Sequence, residues 1–124
     1  MPRARIAAVV VLGLRVLYGA ALLAVPARVT RRWLGPDGGS PPASVAVRGV
    51  GAREIAVHGA AMVAAVRGGP LRPWLAISIA GDLADIGATA AGRDGVPDGA
   101  PLATLAVAGG SALLSAAVAV AADA

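Results

Sequence analysis

Residues Leu102–Ala122, LATLAVAGGSALLSAAVAVAA, run without a single charge. A helix crossing the hydrocarbon of a bilayer needs about 20 mainly apolar residues. Each Leu or Val near its centre favours insertion by about 0.3 to 0.6 kcal/mol. The stretch therefore inserts unaided. Its only polar side chains, Thr104, Ser111 and Ser115, fall on one narrow helical stripe. In a soluble bundle this helix would have no solvated face.

Working outward, three more windows have the same length and character: Ile6–Val25, Val45–Val66 and Trp74–Ala91. Between the windows lie Pro36–Pro42 (PDGGSPP), Arg67–Pro70 (RGGP) and Gly92–Gly99 (GRDGVPDG), where Pro removes a donor and Gly frees the backbone. The expected architecture is all-α, a four-helix transmembrane bundle forming a single domain over 1–124.

Composition agrees. The 124 residues are 57% hydrophobic and 15% charged, with a mean hydropathy of +0.75, whereas soluble domains carry about 25% charged residues. Disorder is excluded by the low charge and high aliphatic content. Without cysteine there is no disulfide, thiolate metal site or thiol nucleophile. The net charge of +4 comes from arginines scattered at helix ends or isolated within helices. That is no basic stripe for nucleic acid; the bilayer is the expected partner, with terminal arginines at anionic headgroups.

Arg3 and Arg5 before an apolar run, with Val25-Pro26-Ala27 behind it, also fit a cleavable signal peptide. Arg15 within the run and the run's length favour a retained span. Arg3, Arg5, Arg67 and Arg72 on one side balance Arg28, Arg31, Arg32 and Arg93 on the other, so the positive-inside rule does not orient the bundle. The reading adopted places both termini in the cytoplasm. Trp33 and Trp74 stand at opposite boundaries as interface anchors. Ala27–Leu34 reads as a surface segment, Val29 and Trp33 inward, Arg28, Arg31 and Arg32 toward headgroups.

The windows hold ionisable residues: Arg15, Arg48 and Arg53 against Glu54, Asp82 and Asp85. Each costs about 2.5 to 3.5 kcal/mol at a helix centre, so the second and third windows need partners. Such groups face the bundle interior and pair with one another. With Arg48 close enough to a helix end to reach the interface, two cations would face three acids, the third protonated or paired with His58. Helical spacing puts Ser78, Asp82, Asp85 and Thr89 on one face, Asp82 and Asp85 close enough to repel unless cations intervene. Arg48, Gly51, Glu54 and His58 share another face; Arg53 points off it, toward a different neighbour. Arg15 and Tyr18 are an i,i+3 pair. The simplest packing turns all four polar stripes inward.

These residues admit two readings. As structural glue, Ser and Thr bond across helices for about 0.6 kcal/mol each, and the ion pairs fix register. Tyr18, Ser78, Thr89, Thr104, Ser111 and Ser115 are read this way, and His58 as a neutral ring bonded to Glu54. As a functional site, the charged set borders a place for a hydrophobic small molecule. Other chemistry fits less well. Arginines nearby repel a metal ion, no Ser–His pair forms a triad, and Gly49-Val50-Gly51 lies within a helix window rather than in a phosphate loop. No cofactor is implied. A carboxylic acid in a dry site would serve an enzyme as general acid on a lipid-soluble substrate, or would carry a proton in a small carrier, which would need a homo-oligomer to enclose a path.

The run Arg48-Gly49-Val50-Gly51-Ala52-Arg53-Glu54 resembles a family of small four-helix integral membrane proteins of bacteria and some fungi, classed as a domain of unknown function. Its pattern is Arg-x-x-Gly-x-Arg-Asp/Glu on one helix and an Asp on the next. Here Arg48, Gly51, Arg53 and Glu54 fill the first part, and Asp82 or Asp85 the second. The similarity covers about Val45 to Ala122. The family often carries Gly where this chain has His58, so no role transfers to that residue. The resemblance implies the four-helix fold and the charged pairing, and no activity. The expected location is a bacterial plasma membrane.

Overall fold

A computed structural model of the chain describes residues 1–122. Five α-helices account for most of it: α1 (Arg3–Ala24), α2 (Pro26–Leu34), α3 (Pro41–Val66), α4 (Arg72–Ala91) and α5 (Ala100–Ala122). Two short 3-10 turns, Pro36–Gly39 and Arg93–Gly95, complete the connections, and no strand occurs among the described residues. Helices α1, α3, α4 and α5 are each long and apolar enough to cross a membrane.

The expected windows match these four helices, with one instructive difference. Pro41 and Pro42 belong to the first turn of α3 rather than to the preceding break. The first-turn N–H groups of a helix have no intrahelical partner, so proline costs nothing there. Ser40 caps the helix, its side chain accepting from the Ala43 N–H at 3.3 Å. The surface segment is a true helix, α2, with Pro26 at its first position. Gly35 ends it at φ +78°, a left-handed conformation suited to glycine.

Helix α1 packs most extensively on α3, and α4 on α5. The two pairs meet along looser α3–α4 and α1–α5 seams. The α1–α3 crossing is set by two glycines. A Cβ on Gly19 would lie 2.7 Å from the Gly51 carbonyl oxygen, and one on Gly51 would lie 2.7 Å from that of Gly19. Only glycine on both helices allows this approach, the small-residue packing of helices that lack a hydrophobic drive to associate in lipid. Gly19 lies one turn from Arg15 and Gly51 nearly one turn from Glu54, so the crossing sets the distance between those side chains.

The bundle has three tiers. At the end holding the α3–α4 connection, Ala8, Leu12, Ala61, Ala65, Leu71, Leu75 and Val118 form an apolar core. There Arg5 donates to the Gly69 and Ala65 carbonyls at 2.9 and 3.3 Å, placing a cation at the C-terminal end of α3 where the helix dipole favours it. Charged residues occupy the middle tier. The far end is covered by α2, whose Trp33 indole N–H donates to Thr104 on α5 at 2.8 Å. Trp33 thus spends its donor within the bundle, and Trp74 packs against the apolar core. Outside, large aliphatic side chains face outward: Leu17 is 66% exposed and Leu113 76%. An apolar exterior around a polar middle is the reverse of a water-soluble bundle.

Gly19→Leu or Gly51→Leu is expected to cost about 1–3 kcal/mol or more by overpacking. Gly49→Ala, where a Cβ meets nothing within 4 Å, is expected to be neutral or stabilising. Thermal unfolding of the three variants in a mild detergent checks this.

Candidate functional site

Arg15, Glu54 and Asp82 lie near the midpoints of α1, α3 and α4. The Arg15 guanidinium grips both acids. Nε and Nη2 donate to Glu54 at 2.9 and 3.0 Å, and Nη1 and Nη2 donate to Asp82 at 3.1 and 2.8 Å. Four of its five N–H groups are engaged in two bidentate pairs, the geometry in which arginine binds carboxylates most strongly. Both acid side chains are only 4% exposed.

A second arginine serves the outer part of the network. Arg53 Nη2 donates to Asp85 Oδ2 at 3.1 Å and lies 3.7 Å from Glu54 Oε1. Gly81 on α4 leaves room for this guanidinium; a Cβ there would stand 3.3 Å from its carbon. Asp82 and Asp85 therefore pair with different guanidiniums, and Asp82 shares Arg15 with Glu54. As the helical spacing indicated, Arg53 and Glu54 point to different neighbours, α4 and α1.

His58 is buried below Glu54. Its Nδ1 is 2.7 Å from the Glu54 backbone carbonyl, which can only accept, so Nδ1 carries a proton. Nε2 lies 2.7 Å from the Ser78 hydroxyl, which donates to it when the ring is neutral. Both nitrogens are occupied, so His58 ties α3 to α4; the Glu54 carboxylate is also near, at 3.3 Å from Nδ1.

Arg48 stands apart. It is exposed and donates from Nε to the Leu23 carbonyl at 3.3 Å, one side of the chain's first connection, and among the described residues it pairs with no carboxylate. Two guanidiniums, Arg15 and Arg53, thus face three acids, Glu54, Asp82 and Asp85.

Between this tier and α2 lies a cavity of about 330 Å³. Its walls are mostly aliphatic, among them Leu22, Val47, Val50 and Ala108. Arg15, Glu54, Asp82 and Asp85 are its charged lining residues, and Thr30 and Trp33 cover it. Leu14 and Tyr18 of α1 and Val107 and Leu114 of α5 also line it while remaining exposed on the outer surface. The cavity thus opens sideways through the loose α1–α5 seam.

Four sequence candidates, Arg15, Arg53, Glu54 and Asp82, meet in the network with Asp85 as its outer member; Arg48 does not join, and His58 supports it. Most polar-stripe residues are buried or half-buried; Arg48 is exposed, and Tyr18, 43% exposed, lies where the cavity reaches the surface. Residues read as glue or anchors contribute more than expected, since Tyr18, Trp33 and Ser111 line the cavity. For Tyr18 and Ser111 the signal was position, each sharing a stripe with the polar residues of its helix. Among the described residues no group of three His, Asp or Glu side chains is arranged to hold a metal ion.

No family model matches the chain, and no curated protein or solved structure matches it either.

Arg15→Met strands Glu54 and Asp82 and is expected to cost about 3–5 kcal/mol, the penalty of breaking a buried pair. The triple variant Arg15→Met/Glu54→Gln/Asp82→Asn removes all three charges and is expected to recover most of it. The fraction of monodisperse protein after detergent extraction, with its unfolding midpoint, checks both.

Proposed function

We propose that this chain is a small integral membrane protein whose Arg–carboxylate network organises the bundle and borders a binding site for a hydrophobic small molecule taken from the lipid. The observation that carries the reading is the cavity of about 330 Å³, within the size range of small-molecule sites. It combines aliphatic walls, a few convergent polar groups and a side opening flanked by outward-facing apolar residues. A bundle whose charges served packing alone would close around its ion pairs; here a mostly aliphatic cavity lies beside the network. The resemblance carried by Arg48, Gly51, Arg53 and Glu54 agrees with this fold and supplies no activity, so the reading rests on the cavity.

A bromoalkane tests it. In a Trp74→Phe background, 1-bromodecane in zwitterionic nanodiscs is expected to quench Trp33 fluorescence saturably. Ala108→Phe, which fills the cavity, is expected to abolish the saturable component. Quenching that rises linearly with the bromoalkane in the membrane, unchanged by Ala108→Phe, would overturn the reading.

The excess of acids over guanidiniums favours a second reading, a proton-coupled carrier. Its signature is proton flux in vesicles that is lost in Asp85→Asn.

A further inference from the structure

Resting on the ligand-site reading above, we infer that the occupant of the cavity is an alkylammonium, a protonated amine on an apolar chain. The first ground is charge. Arg15 divides its donors between Glu54 and Asp82, and Arg53 reaches Asp85 through one nitrogen on one oxygen. With two guanidiniums for three carboxylates, the network as a whole is one positive charge short. Asp85 is the least buried of the three acids, its side chain 32% exposed, and it lines the cavity. Low-dielectric surroundings make an unmatched charge costly, so a cation entering there is favoured over a neutral molecule of the same shape.

The second ground is the hydrogen-bonding capacity left unused. Among the described residues, Asp85 Oδ1, the Tyr18 hydroxyl and the Ser111 hydroxyl have no side-chain hydrogen bond. They come from α4, α1 and α5, and all three residues line the same cavity. An ammonium has three N–H donors and no acceptor, the complement of one carboxylate oxygen and two hydroxyl oxygens. Aromatic rings that bind cations through their faces are present in Tyr18 and Trp33. The aliphatic walls and the gap between α1 and α5 accommodate the chain of a molecule arriving from lipid. The charged groups around the head are Asp85 with Asp82 on α4, Arg53 and Glu54 on α3, and Arg15 on α1; α5 and α2 line this cavity with no charge.

The test is a charge-matched series read by Trp33 fluorescence in the Trp74→Phe protein in zwitterionic nanodiscs. Decylamine is expected to bind saturably and about ten-fold or more tighter than decanol, the value of a charge-assisted hydrogen bond. Asp85→Asn is expected to bring decylamine down to the affinity of decanol, whereas Asp94→Asn, in the α4–α5 connection, is expected to change nothing. Because Asp85→Asn also removes the partner of Arg53, the double variant Tyr18→Phe/Ser111→Ala provides an independent check and is expected to weaken decylamine more than decanol. Equal saturable binding of amine and alcohol by the unsubstituted site would overturn the inference and leave the hydrophobic site standing. Saturable binding of neither, or binding unaffected by Ala108→Phe, would overturn both.

Discussion

One guanidinium in contact with two carboxylates sets the terms for the rest of this bundle. Arg15 reaches across from α1 and holds an acid on α3 and another on α4, three helices joined at a common depth. Arginine suits the task because it keeps its charge in any protein environment and presents its donors in a planar fork. The surrounding packing follows from placing that fork. The Gly19–Gly51 approach fixes how near α1 runs to α3, and the His58–Ser78 bond ties α3 to α4 just beside it. A shift of either helix would part acids and cation in surroundings where their separation is expensive.

The helices themselves were legible because hydrocarbon imposes a length and an exclusion that composition alone reveals. Leu102–Ala122 needs no tertiary information. Pro41 and Pro42 were misleading for a local reason: proline ends a helix from within but opens one at its first turn, and only the Ser40 cap distinguishes the cases. The charged residues were legible as a set, since ionised groups among apolar ones must converge. Their pairing was not. Asp82 meets Arg15 and Asp85 meets Arg53 because α1 nests on α3 while α4 pairs with α5, an arrangement no helical wheel contains.

The cavity lay furthest from the sequence. Its existence depends on how loosely two tightly packed helix pairs meet, and its cover depends on α2 folding back until Trp33 meets Thr104. Tryptophans gather at membrane boundaries; the Trp33 ring closes a space inside the protein. Tyr18 and Ser111 are ordinary members of polar stripes until that space is seen beside them. Polar residues on a helix announce a direction, and what stands in that direction is decided by the other helices.

Chain order gives the Arg15 clamp a further significance. A ribosome makes α1 before α3 and α4, so the cation exists before either anion that it will hold. When α3 emerges, Glu54 finds a partner already waiting at its own depth. Asp82 and Asp85, on a later segment with no basic residue between Trp74 and Ala91, then meet a half-occupied guanidinium and Arg53. Biogenesis in this order never requires an acid to enter the hydrocarbon ahead of its counter-ion.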